Sequence, residues 1–142
     1  ISFGKKKVIE AIKYLNKKNF FIFIVSNQSG VGRGYYSKQD VEKLHYWMRN
    51  ELRKNGAHID EIFYAPFYNK SKLNFTKRDE LLRKPNTGMI NKANEKWNIE
   101  MKKSFVIGDT DVDKNLAKNA KLKYVSVNKK SNLFNIVKKI CN

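Results

Sequence analysis

FFIFIVSNQSGVGRGYYS, residues 20–37, runs six apolar residues straight into a polar turn that holds Ser26, Asn27, Gln28 and Arg33 and is punctuated by three glycines. A buried strand followed by an ordinary loop accounts for the pattern. So does a phosphate-binding loop at the end of a central parallel strand, where backbone N–H groups and small residues cradle an anion. The rest of the chain has to separate the two.

Working outward, four short apolar runs have strand length and are rich in β-branched and aromatic residues: 20–25, 62–65, 105–107 and 124–127. Helical periodicity lies between them. Val8, Ile12 and Leu15 share a face, as do Val41, Leu44, Met48 and Leu52, and later Leu133, Ile136, Val137 and Ile140. Ser37 stands three residues before Asp40, a capping-box spacing, and Gly56 fits the stop of the same helix. Strands alternating with helices predict right-handed crossovers and a mainly parallel sheet. The segment 67–83, with KSKLNFTKRDELLRK at its heart, reads as an irregular inserted loop over one end of that sheet.

At 142 residues the chain is long enough for one domain with its own core and too short for two. A single domain over residues 1–142 is expected. No window reaches the roughly 18 consecutive apolar residues of a membrane span, and the single cysteine, Cys141, has no partner for an internal disulfide. These features predict a soluble cytoplasmic protein with no membrane partner. The net charge of +17, from 30 Lys and Arg against 13 Asp and Glu, suits phosphate-bearing partners up to nucleic acid. It also suits a uniform compositional bias, since Lys and Asn are spread over nearly every segment with no single basic stripe.

In a parallel sheet, ligands sit beyond the carboxyl ends of the strands. The polar residues just after each run therefore carry the functional reading. After the first run come Ser26, Asn27, Gln28, Ser29 and Gly30; after the third come Gly108, Asp109, Thr110, Asp111, Val112 and Asp113; Arg83, Lys84 and Pro85 close the long segment. Ser26 offers a hydroxyl and neighbouring N–H groups to a phosphate oxygen. Lys84 offers a compact positive charge to the same phosphate, although a solvated lysine would also fit. Asp109 has the hard oxygen that Mg²⁺ prefers, with Asp113 one helical turn on to orient a ligand or complete the shell. Helix capping by Asp109, with Asp111 and Asp113 as first-turn charges, is the plain alternative. Cradle, lysine and metal carboxylate together predict phosphoryl transfer.

VSNQSGVGRGYYS, RKPNTGM and VIGDTDVD resemble the second, third and fourth motifs of the haloacid-dehalogenase (HAD) superfamily of phosphatases. The spacing YYSKQDVEKLHYWMRNELRKNGAHIDEIFYAPF is similar to the branch that hydrolyses histidinol phosphate and heptose bisphosphate, and within it to the heptose enzymes. The resemblance covers residues 8–127 and implies a HAD-like (Rossmannoid) three-layer α/β/α sandwich with no large cap domain. It implies that Ser26 and Lys84 bind the transferred phosphoryl group and that Asp109 ligates Mg²⁺. Asn27, Gln28, Arg33 and Arg83 would hold substrate phosphate or sugar hydroxyls, with Asp113 in support. The implied function is a Mg²⁺-dependent phosphatase of carbohydrate metabolism that removes the 7-phosphate of a heptose bisphosphate in lipopolysaccharide biosynthesis, through an aspartyl-phosphate intermediate.

Two departures from that pattern matter. The superfamily's first motif, a strand ending in D-x-D, supplies the nucleophilic and acid/base Asp residues, and no such strand precedes Val8. A first strand missing by truncation is expected, with the chain inactive by itself. Close relatives also bind structural zinc through Cys and His in the long loop, and YAPFYNKSKLNFTKRDELLRKP has neither. No structural zinc is expected, and packing of Phe67, Tyr68, Leu73 and Phe75 would have to order the segment. Three other readings stay open: histidinol phosphate as substrate, a polynucleotide 3′-phosphatase, and a non-catalytic phosphate-binding module. Nucleic acid is not the expected partner, because no G-x-x-x-x-G-K-[ST] kinase signature occurs. His45 and His58, without a partner carboxylate in the sequence pattern, read as structural or surface residues, and the protein is expected to be a monomer.

Overall fold

The computed structural model describes residues 7–141. The first helix, α1 (Val8–Lys17), buries Val8, Ala11, Ile12 and Leu15, the expected face plus an alanine. It is followed by β1 (Phe23–Asn27), a one-turn α2 (Ser29–Gly32) and the long α3 (Lys38–Lys54). Next come β2 (Glu61–Ala65), α4 (Lys77–Leu82) and α5 (Gly88–Trp97). The chain closes with β3 (Phe105–Gly108), α6 (Asp111–Ala120), β4 (Lys123–Ser126) and α7 (Leu133–Ile140).

All four expected strands form, with shifted ends. Phe20 is not in β1, because its N–H bonds Leu15 O and so wraps the end of α1. At the other end the pairing continues past the apolar run: Gln28 N donates to Ala65 O at 2.8 Å, which carries Ser26 and Asn27 into the strand. Asp60 N donates to Ile22 O near the start of the same pair, so β1 and β2 run parallel. β3 and β4 are also parallel, in register from Phe105 opposite Lys123 to Gly108 opposite Ser126. Among the described residues these are two separate two-stranded sheets rather than one continuous sheet, since no strand described here hydrogen-bonds to both pairs.

The chain groups into two compact units: one takes the chain up to Ile24, Lys43–Ile62 and the chain from Val127 on; the other takes Val25–Glu42 and Phe63–Ser126. In the first unit, α1 packs on α7, with Tyr14 edge-on to Phe134 at 5.9 Å and Leu133 and Val137 buried. Asn16 closes on His58 through His58 N–H to Asn16 Oδ1, 2.9 Å, and Asn16 Nδ2 to His58 O, 3.1 Å. His58 also has the partner carboxylate that the sequence pattern did not suggest, Asp60 Oδ1 at 3.4 Å. Its structural reading is kept, and Asp60 in turn accepts from Ile22 N.

In the second unit, α6 covers β3 and β4, burying Leu116 and Ala117. The segment 67–83 is not wholly irregular, because it contains α4. That helix buries none of its residues, so no apolar period announces it; a capping box between Thr76 and Asp79 holds it instead. Phe67 and Phe75 stack edge to face at 5.9 Å, as expected of a segment ordered by aromatic packing. Leu73, expected in the same packing, is 52% exposed. Leu44 also departs from its expected face and is 51% exposed: at about 100° per residue it stands some 60° to one side of the line through Val41, Met48 and Leu52.

Candidate active site

β1 ends in Ser26 and Asn27, so both side chains leave the strand where the polar turn begins. Ser26 Oγ accepts from Gln28 Nε2 at 2.8 Å, and Gln28 Oε1 accepts from the Tyr36 hydroxyl at 2.7 Å. A hydroxyl has one hydrogen to give. With its acceptor side met by Gln28, Ser26 is set to donate outward, the polarity that a phosphate oxygen requires. Tyr36 fits against the loop because residue 30 has no side chain: a Cβ there would clash with the ring carbons Cε1 and Cζ of the tyrosine. Gly32 is also tightly placed, with Pro66 O and Tyr68 Cβ each 2.8 Å from where its Cβ would be.

Asn27, expected to contact substrate, bonds the main chain of Lys84. Its Nδ2 donates to Lys84 O at 3.1 Å and its Oδ1 accepts from Lys84 N at 2.8 Å. Both bonds go to the main chain of one residue and hold the backbone of Lys84 at the end of β1. Gln28 is likewise engaged on both sides by protein groups. From α6, Asn119 Nδ2 donates to Pro85 O at 2.9 Å and fixes the next residue of the same stretch.

The Lys84 ammonium meets Asp113 Oδ1 at 2.8 Å, in a pair only 14% and 13% exposed. Asp113 is held in place by Thr110, whose hydroxyl donates to Oδ2 at 3.0 Å, and at longer range by Asp109 N–H, 3.4 Å. Burial alone pushes the Asp113 carboxyl up, but the Lys84 hydrogen bond and charge, with Thr110 and Asp109 N–H, outweigh it and hold the group below the usual carboxylate range. Gly108 is required here, because a Cβ would strike Asp113. Thr110, not Asp109, caps α6, accepting from Asp113 N at 3.2 Å. Capping therefore does not explain Asp109, whose exposed side chain stands at the carboxyl end of β3.

Arg83 is half-buried, and its Nη1 is buried without a hydrogen-bond partner among the described residues. A buried guanidinium nitrogen of this kind is costly unless an anion meets it. Arg33 is exposed, its guanidinium lying 4.1 Å over the Tyr68 ring. The three stretches read from the sequence are thus joined by side-chain bonds: Asn27 to Lys84, Lys84 to Asp113. Asn119 and Tyr36 were not anticipated as site residues, and Thr110 only as a member of the stretch after β3. Only Thr110 left a readable trace, the T-x-x-D spacing of a helix start.

Among the described residues no three His, Cys, Asp or Glu side chains come together to hold a metal. Asp113 bonds Lys84, while Asp109 and Asp111 stand exposed just beyond β3. That fits Mg²⁺, which keeps several waters and takes one or two protein carboxylates together with substrate phosphate oxygens.

Residues 2–134 match the family described as polynucleotide kinase 3 phosphatase. Over 113 residues the chain is 41% identical to the D-glycero-beta-D-manno-heptose-1,7-bisphosphate 7-phosphatase of Rhodopseudomonas palustris, covering 80% of this chain and 63% of that protein. Over 107 residues it is 36% identical to the D-glycero-alpha-D-manno-heptose-1,7-bisphosphate 7-phosphatase of Photorhabdus laumondii, covering 75% of this chain and 58% of that one. The chain thus spans about three fifths of these relatives. Among solved structures, the D,D-heptose 1,7-bisphosphate phosphatase from B. bronchiseptica, crystallised with magnesium and phosphate, is similar in fold, with a TM-score of 0.74 over 94% of this chain and 81% of that one at 18% identity.

Proposed function

We propose that this chain, which belongs to the polynucleotide kinase 3 phosphatase family of HAD phosphatases, carries the phosphoryl-binding residues of a Mg²⁺-dependent phosphatase acting on a sugar phosphate. The observation that carries the reading is the bonded line Asn27–Lys84–Asp113, which sets one ammonium group at the ends of two strands. D-Glycero-D-manno-heptose 1,7-bisphosphate is the substrate favoured by the names of the relatives, whose anomers differ.

In this reading Ser26 donates its hydroxyl hydrogen to a phosphoryl oxygen, and Lys84 supplies the charge that offsets the phosphoryl group as bonds to phosphorus change. Asn27 and Asp113 position Lys84 from its backbone and its ammonium end. Arg83 supplies guanidinium donors to the substrate anion, and Arg33, braced on Tyr68, supplies further ones. Mg²⁺, held by Asp109 with water and substrate oxygens, would supply Lewis-acid stabilisation of the phosphoryl oxygens. The attacking carboxylate of the superfamily belongs to its first motif, which these residues do not include.

Polynucleotide 3′-phosphatase activity is the second reading, favoured by the description of the family and by the charge of +17. One assay separates the readings: phosphate release by the protein as its cell makes it, in Mg²⁺, from heptose 1,7-bisphosphate, histidinol phosphate and a 3′-phosphorylated oligonucleotide. Release from the heptose bisphosphate with a kcat/KM at least tenfold above the other two is expected. A preference for the oligonucleotide would replace the sugar reading, and release from none, with phosphate binding kept, would leave a phosphate-binding module.

A further inference from the structure

The second unit contains a cleft of about 590 Å³ between the start of α3 and the segment leading into α4, lined by Val31, Tyr36, Gln39, Asn74, Phe75 and Asp79 among others. Two aromatic rings and the side chains of Val31 and Leu73 give it an apolar surface, and the amides of Gln39 and Asn74 add neutral donors and acceptors. Its charges are unlike those of the rest of the chain. Glu42 and Asp79 oppose the single cation Lys38, within a chain of net charge +17. A cleft that is locally acidic disfavours a phosphodiester backbone or a second phosphate. Aromatic faces beside amides and carboxylates suit a neutral polyhydroxylated group, whose C–H face stacks and whose hydroxyls donate.

Tyr36 belongs both to this cleft and to the phosphate loop. Its ring lines the cleft while its hydroxyl donates to Gln28 Oε1, and Gln28 Nε2 donates to Ser26 Oγ. The order of these bonds is directional: with the tyrosine donating, the Gln28 amide must turn its NH₂ toward Ser26. We propose that the cleft takes the uncharged polyol portion of the substrate, and that Tyr36 is a positioning residue that couples this cleft to Ser26. This rests on the phosphatase reading above for the identity of the loop as the phosphoryl site.

The test uses the full protein and compares affinity for inorganic phosphate with affinity for a sugar phosphate by calorimetry. Phe75→Ala and Asn74→Ala are expected to weaken sugar phosphate about tenfold, the scale of one lost contact in a specificity pocket, while inorganic phosphate stays within twofold. Tyr36→Phe keeps the ring and loses the bond to Gln28; it is expected to lower kcat on every phosphomonoester, p-nitrophenyl phosphate included, with KM for the sugar phosphate unchanged. If the cleft variants leave sugar phosphate binding intact, or weaken both ligands equally, the cleft assignment is overturned. If Tyr36→Phe raises KM and spares kcat, the coupling is overturned. A wild-type protein that binds phosphate but prefers no sugar phosphate over it removes the cleft alone, whereas one that binds neither removes the phosphatase reading as well.

Discussion

Lys84 and Asp113 form the pair on which the site turns, and their near-burial makes them sensitive to any change that leaves one charge alone. Asp113→Asn strands the ammonium in a poorly hydrated place and is expected to cost about 3 kcal/mol of stability, measured by urea unfolding. The pair also predicts a pH dependence. The Asp113 carboxyl titrates below the ordinary range in the folded protein, so its contribution to stability is present above the unfolded value, about 3.9, and is lost as pH falls through the folded one. Acid titration of wild type should show this loss below about pH 4, and Asp113→Asn should remove that share of the slope; equal slopes would place the shift elsewhere. At this scale the meeting of the three stretches was legible. Ser26, Lys84, Asp109 and Asp113 each follow a run or close a loop in an arrangement that chemistry recognises. The bond of Asn27 to the Lys84 backbone was not legible, because an amide looks the same in sequence whether it meets substrate or backbone. Which one it meets depends on a partner 57 positions away.

At the scale of elements, the four strands and the helices α1, α3 and α7 were readable, because burial imposes a period on the sequence. The periods of α5 and α6, which bury only Met89, Ile90 and Ala93 and only Leu116 and Ala117, are too short to stand out, and α4 has none. α4 keeps all its residues at least partly exposed and is held at its start by Thr76 and Asp79. Thr76→Ala is therefore expected to cost about 1 kcal/mol and to speed amide exchange across residues 77–82, with little change in β3 and β4. Uniformly faster exchange would mean that α4 is supported by its packing and not by its cap. Gly88 adds a packing constraint: a Cβ would press on the Leu81 carbonyl, so Gly88→Ala should separate α4 from α5 and disturb the same amides. In the other unit, fully buried Leu52 predicts a Leu52→Ala cost of about 3 kcal/mol, read from thermal unfolding.

For the whole molecule, charge and specificity come apart. A chain of net charge +17 will bind polyanions through its dispersed lysines, with affinity falling by roughly 0.7 to 0.9 log units per phosphate contact for each tenfold rise in salt. Lys84→Ala should leave oligonucleotide binding nearly unchanged, since it removes one of many cations and a partly buried one. On α3, Leu44 and Trp47, one turn apart, are 51% and 52% exposed. No helix among the described residues is long and apolar enough to cross a membrane. The measurement that bears most directly on the site is titration of inorganic phosphate into wild type, Lys84→Ala and a surface control, Lys118→Ala, followed by ³¹P NMR at fixed ionic strength. Saturable binding in wild type and the control, weakened at least tenfold in Lys84→Ala while the protein remains folded, is the predicted result. Equal binding by all three would contradict it, showing that phosphate is attracted by the overall charge and not held at the ends of β1 and β3.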